Sequence, residues 1–215
     1  EVLATRGSVG VCDVTTLGKV DVQGTDAAEF LNKIYCNAFA KLEVGKTRYG
    51  LMLREDGIAK DDGTAARLAE DHFVVTTTTA NALPVYRHME FVRQCLFPDM
   101  DVQLISTTEA WAQYAVAGPN SRKVLEKIVD QDISNEAFPF MACANITICG
   151  GLRARLFRIS FSGELAYEIA VPTAYGDALI RKIMEAGAEY DITPYGTEAL
   201  GVMRIEKGHA AGNEL

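Results

Sequence analysis

The sequence predicts an α+β protein, mainly antiparallel sheets with helices, and three observations carry that expectation. Stretches of apolar–polar alternation and stretches of helical periodicity follow one another in mixed order, not as regular βαβ units. The spacers between strand-like runs are of hairpin length, which suits antiparallel pairing and is too short for parallel crossovers. No repeat of fixed period and no Pro/Ser-rich linker divides the 215 residues.

Taken in order, residues 17–23 (Leu-Gly-Lys-Val-Asp-Val-Gln) alternate and read as a strand. Gly24, Thr25 and Asp26 offer a turn and a capping residue ahead of a short amphipathic helix over 27–34. Strands are expected at 48–53 and 64–68, and the intervening 54–63 has hairpin-loop chemistry. Residues 72–78, largely β-branched, make another strand. Helical spacing runs from 80 to 97, with Pro84 inside the first turn, where a missing N–H does no harm. Residues 111–117 read as a buried strand. Gly118 to Ser121 turn it into a helix reaching about Val129, with Pro119 or Ser121 near its start. Strands return at 146–148, 152–160 and 167–171, and helices at 174–187 and 197–207, after which the chain closes with residues 212–215.

Composition narrows the function classes. With 48% hydrophobic and 23% charged residues, the chain can build one sizeable core or two modest ones. No apolar run is long enough to span a bilayer, and the first residues lack a charged and then apolar leader pattern, so no membrane partner is expected. The net charge is −8 and no basic block interrupts it beyond Arg153, Arg155 and Arg158, which argues against nucleic acid. Five cysteines, an odd number without a C-x-x-C pair, read as free thiols in a reducing compartment, so a cytoplasmic location is expected. His72, His88 and His209 stand far apart with no cysteine at ligand spacing, so no metal site is expected.

Ser162 lacks the first glycine of G-x-S-x-G and is followed by a strand, which removes it as a nucleophile. Neither phosphate-binding glycine pattern occurs, so flavin or nicotinamide chemistry would belong to polypeptide outside this chain. Asp61 and Asp62 are adjacent at a strand start and project to opposite faces: one can face a pocket while the other stays wet or caps a turn. By composition alone the pair reads first as a solvated turn. An enclosed carboxylate would suit holding or accepting a proton on an amine. Glu168 lies in a strand between Tyr167 and Ile169, where a solvent-facing side chain is the default. Buried, it would need a pair of donors such as the amino-pyrimidine edge of a pterin. Arg204 and Glu206 flank Ile205 in a helix ending at Gly208, and structural ion pairing is the default for them.

The same places carry a family resemblance. The run from Asp13 through Gly18 and Lys19 to Gly24 resembles the opening D-x-S-x-x-G-K-x-x-x-x-G of the glycine-cleavage T-protein family. Tyr49 to Leu53, with Gly57, Asp61 and Asp62, resembles its Y-x-x-M-L…G-G…D-D block. Ser162-Gly163-Glu164 with Tyr167-Glu168-Ile169 resembles its Y-T-G-E-x-G-x-E-I block, and Met203-Arg204-Ile205-Glu206-Lys207-Gly208 its L-R-L-E-A-G. Residues 48–57, 76–79, 158–168 and 195–199 are similar to one branch, the alpha subunit of heterotetrameric sarcosine oxidase.

That resemblance implies a ring of domains around a folate cavity. One discontinuous lobe would comprise 1–14 and 101–215 and another 15–100, the matched stretch stopping before the family's C-terminal barrel. It implies capture of a methylene or formaldehyde unit, released from sarcosine, on tetrahydrofolate to give 5,10-methylenetetrahydrofolate. Partners would be folate and the other sarcosine oxidase subunits, with flavin and NAD held only outside this chain. Asp61 matches the family's catalytic Asp. Asp62 is its alternative, because one extra residue separates Gly57 from the pair. Glu168 matches the Glu that reads the pterin, Tyr49 and Asn81 match pocket-lining positions, and Phe161 and Tyr167 complete the cofactor-binding set. Phe161 stands where the family has Tyr, leaving stacking without a phenolic hydrogen bond. Leu200 stands where the T-protein has an Arg, removing one anchor for the folate tail. Both departures weaken the reading as a free-standing aminomethyltransferase and do less harm to the sarcosine-oxidase branch; a non-catalytic scaffold that retains the fold is the rival from another class.

Overall fold

The chain opens with a short helix, α1 (Val2–Gly7), and a strand, β1 (Gly10–Asp13). It then leaves for a separate compact unit and comes back, so that residues 1–15 and 110–210 form one unit and residues 16–109, with Ala211, the other. The computed structural model describes residues 1–211; residues 212–215, assigned from sequence to the discontinuous lobe, lie outside the described residues.

The 16–109 unit runs β2 (Gly18–Gln23), α2 (Ala27–Ile34), β3 (Thr47–Leu53), β4 (Ala59–Ala69), β5 (His72–Thr77), α3 (Ala82–Phe91) and β6 (Gln103–Ser106). Its strands lie in the order β3-β4-β5-β2-β6, every neighbour antiparallel. Helix α2 buries Ala27, Phe30, Leu31 and Ile34, spaced i, i+3, i+4, i+7. These side chains pack with Val20, Val22, Phe73 and Val75 from the sheet and Val85 and Met89 from α3. Asp26 precedes α2 as expected but does not cap it: its carboxylate accepts the Asp101 N–H at 2.9 Å. The helical run expected to reach 97 ends its α-helical part at Phe91 and continues as a π-helical turn over 92–96.

One boundary needs correction because it touches the candidate site. The loop expected over 54–63 closes by Ile58, and β4 begins at Ala59, so Asp61, Asp62 and Gly63 are all strand residues. Their low strand propensity hid this, and pairing with β3 overrides it. A bulge precedes them: Met52 faces Asp61 and Leu53 faces Ala59, which leaves Lys60 without a partner across the ladder.

The other unit resumes with β7 (Trp111–Ala117), α4 (Ser121–Leu125), β8 (Cys143–Ile148), β9 (Leu152–Phe157), β10 (Ala166–Pro172), α5 (Gly176–Gly187), β11 (Thr193–Pro194) and α6 (Thr197–Lys207). Its sheet order is β11-β1-β7-β10-β9-β8, antiparallel except for the short β1–β11 pair. Alternation along β7 and β10 sends Tyr114, Val116, Tyr167, Ile169 and Val171 into the main core, with Leu125 from α4 and Leu179 and Ile183 from α5. The opposite face holds Cys12, Ala117 and Ala166 beneath Tyr195, Ala199 and Met203. Helix α4 stops well short of Val129, because Val129 bridges to Ile148 and the chain tightens into turns before it. Helix α6 ends at Gly208, whose φ of 86° is the left-handed conformation that glycine tolerates. Among the described residues no helix is long and apolar enough to cross a membrane.

Candidate functional site

The two adjacent carboxylates of β4 are separated by the pleat, as two successive strand residues must be. Asp61 takes the core side, opposite Met52, and is 3% exposed. Its Oδ1 accepts the Thr78 hydroxyl at 2.7 Å and the Asn81 amide at 3.0 Å, and its Oδ2 accepts the Thr78 N–H at 3.2 Å. Thr78 and Asn81 lie in the connection from β5 to α3, so that connection is wrapped around the acid. Burial nevertheless pushes the Asp61 carboxyl above its ordinary range, the bonds from Thr78 and Asn81 pull it down, and neighbouring Asp62 adds to the rise.

Asp62 takes the other side with Tyr49, whose hydroxyl donates to Asp62 Oδ2 at 2.9 Å. Tyr49 pairs across the ladder with Thr64, so it meets Asp62 diagonally. The second oxygen, Oδ1 of Asp62, is buried with no hydrogen-bond partner. Burial, then the bond to Asp62, hold the Tyr49 phenol well above its ordinary value. The sequence-derived set within this unit thus divides into two pairs, Asp61 with Asn81 and Asp62 with Tyr49. Gly63 beside them is obligatory: a Cβ there would lie 2.0 Å from the Thr76 carbonyl oxygen.

In the other unit Glu168 sits mid-strand on β10, half-buried, on the face away from the main core. Its neighbours on that face are Ala115 directly across β7, Phe157 across β9, and Ala166 and Ala170 along its own strand. The Gln113 side-chain amide donates to Glu168 Oε2. Arg155 shares this face, 7% exposed, with its guanidinium 4.1 Å from the centre of the Trp111 ring. The Cys12 thiol also shares it and is pushed up to about 11 by burial and by the charges of Asp13, Glu168 and Glu1, so it stays a neutral thiol.

Tyr167 does not join Glu168. Alternation turns it into the main core, fully buried, where its hydroxyl oxygen accepts the Arg122 Nε–H at 2.8 Å and its ring stacks on Phe138. Phe161 is 39% exposed in the loop before β10, its ring 5.8 Å from that of His209. The acids of the neighbouring blocks are structural. Arg6 on α1 donates to Glu164, to the Ser162 carbonyl, to Glu206 and to the Met203 carbonyl, tying α1, the 160–165 loop and α6 into one knot. Glu206 therefore pairs with Arg6, and Arg204 instead donates to the His209 carbonyl. Sequence reasoning missed Gln113, Arg6 and Thr78, since each acts through a partner distant along the chain.

Two mainly antiparallel sheets with flanking helices, one bearing adjacent aspartates and the other a mid-strand glutamate, define a T-protein-like α+β module. The chain belongs to the family described as the GCVT N-terminal domain, whose family model matches residues 1–215. It is 58% identical over 216 aligned positions to "Sarcosine oxidase subunit alpha" of Rhizobium meliloti (strain 1021), covering 100% of this chain and 22% of that one. It is 30% identical over 213 positions to "Aminomethyltransferase" of Thermoanaerobacter sp. (strain X514), covering 99% of this chain and 56% of that one. Among solved structures, glycine cleavage system aminomethyltransferase T from Bartonella henselae superposes with a TM-score of 0.81 at 26% identity, over 97% of this chain and 54% of that one. The chain thus spans about a fifth of the sarcosine oxidase subunit and just over half of the aminomethyltransferases.

Proposed function

We propose that this chain is the tetrahydrofolate-binding module of a sarcosine oxidase alpha subunit, and that it captures the one-carbon unit from oxidative demethylation of sarcosine as 5,10-methylenetetrahydrofolate. The observation that carries this reading is Glu168, a half-buried carboxylate set among Ala115, Ala166 and Ala170 and held by the Gln113 amide. Desolvating a carboxylate in the middle of a sheet is costly unless donors meet it. A flat ring edge bearing two N–H groups fits the small residues around it and can meet the carboxylate in bidentate fashion. Bound tetrahydrofolate would supply the amine nitrogens that take up the carbon.

Within the other unit, the Asp61–Asp62 pair would manage the proton released in that step. The raised affinity of Asp61 for its proton suits such a group. Phe161 would contribute apolar contact and Tyr49 and Asn81 would position the two acids, while Tyr167 supports the strand from beneath. Other sarcosine oxidase subunits are the expected partners, and oxidation of the amine would reside outside this chain.

A free-standing aminomethyltransferase is the second reading, favoured by the close superposition on the T-protein. The greater identity to the sarcosine oxidase subunit, and Leu200 where the T-protein has an Arg, favour the first. The test is calorimetric titration of tetrahydrofolate into the full-length, assembled enzyme and its Glu168→Gln variant. Weakening by about tenfold or more is expected, the size of a lost hydrogen bond to a charged group. An unchanged Kd sinks the role of Glu168, and no binding heat at millimolar ligand in the parent supports a non-catalytic scaffold.

A further inference from the structure

Gln113 is 2% exposed at the middle of β7, and the structure fixes it from every side. Its N–H donates to the Thr15 hydroxyl at 3.0 Å, its carbonyl accepts the Val14 N–H at 3.0 Å, and it faces Ala170 across the ladder with β10. Only the side-chain amide reaches away from this backbone clamp, and it ends on Glu168 Oε2. A buried amide so constrained can orient a flexible Glu without adding a charge of its own.

We propose that Gln113 is the positioning residue for Glu168: its amide holds one carboxylate oxygen and so fixes the direction in which the carboxylate meets a ligand's paired N–H edge. This rests on the reading of Glu168 given above and extends it to a group that would not itself touch the ligand. The titratable and charged groups on the Glu168 face include Arg155 on β9, Cys12 on β1 and Tyr195 between β11 and α6. Cys12 and Tyr195 are both pushed up by burial and stay neutral in the working range. Neither thiol nor phenol therefore introduces a titration near neutrality.

Gln113→Glu is the informative variant, because it keeps the shape and replaces the donor with an acid. Two carboxylates in contact force one of them to hold a proton well above its ordinary range. When that proton is on, the new acid donates to Glu168 as the amide does; when it is off, the two repel. In the full-length, assembled enzyme, tetrahydrofolate should bind Gln113→Glu about tenfold more weakly than the parent near pH 8, and the gap should close toward about pH 5.5. Gln113→Leu should be weakened at every pH. A Gln113→Glu variant that matches the parent at all pH values, or differs by one constant factor, overturns the proposal by reducing Gln113 to a packing residue. So does failure of both variants to assemble. Glu168→Gln is titrated in parallel: an unchanged Kd there defeats the reading of Glu168 itself, whereas a weakened Glu168→Gln beside an unaffected Gln113→Glu defeats only the positioning role.

Discussion

Asn81 donates from one amide nitrogen to the Asp61 carboxylate at 3.0 Å and to the Lys60 carbonyl at 3.2 Å, so a single side chain at the start of α3 ties down both the bulge of β4 and the acid that follows it. A bulge leaves a ladder carbonyl without its usual strand partner, and a buried carbonyl needs a donor. Asn81 meets that need while its other acceptor, Asp61, is drawn toward the same loop.

The burial of Asp61 has a consequence for acid stability. Its carboxyl is raised by desolvation despite the bonds from Thr78 and Asn81, so the folded chain holds that proton more tightly than the unfolded chain. The stabilisation is complete below the unfolded value of about 4 and is lost as pH rises through the folded value. Asp61→Ala should therefore destabilise the chain most near pH 4.5 and progressively less toward pH 8, measured by urea unfolding across that range. A penalty that grows with pH would contradict the assignment.

Arg6 should behave as a structural keystone. Its guanidinium reaches Glu164 at 2.7 Å, Glu206 at 2.7 Å and the carbonyls of Ser162 and Met203 at 2.9 and 3.1 Å. Exposed ion pairs contribute little on their own, but a planar fork serving four acceptors leaves carbonyls and carboxylates orphaned when it is removed. Arg6→Ala is expected to cost about 2 kcal/mol, or roughly 4–8 °C in Tm for a chain of this size. Arg6→Lys should recover less than half, because a point charge cannot span the set. Calorimetric melting of the variants decides it, and an unchanged Tm for Arg6→Ala would remove the keystone role.

How much of this was legible in the sequence depends on range. Helix α2 was read to the residue because its apolar spacing is local, and β7 because seven consecutive strand-compatible residues end at Gly118-Pro119. Four residues are too few to show a period, so β6 gives no sequence signal and β1 is reached only through the family resemblance. The start of β4 carries the turn chemistry of Asp-Asp-Gly in the sequence, and only the β3 ladder makes it strand. In the candidate site, the split of Asp61 from Asp62 follows from the pleat alone. Gln113 could not be found that way, since its role exists only once β7 and β10 are paired.

The same bulge bears on which aspartate acts. The pair lies one residue further from Gly57 than the T-protein pattern has it, and Lys60 is the residue that the β3–β4 ladder leaves out. An extra residue absorbed there would leave the register beyond it unchanged, and the proposed function accordingly gives the catalytic role to Asp61, opposite Met52, with Asp62 on the face with Tyr49. Under the proposed function, Asp61→Ala in the full-length enzyme should abolish formation of 5,10-methylenetetrahydrofolate while sarcosine still reduces flavin. Asp62→Ala should retain most of the folate product, since its Tyr49 contact lies on the opposite face. Rapid-mixing measurements of flavin bleaching beside product assay separate the two steps. Equal loss of both activities in Asp61→Ala would count against a role confined to folate, and selective loss in Asp62→Ala alone would transfer the role to the second acid.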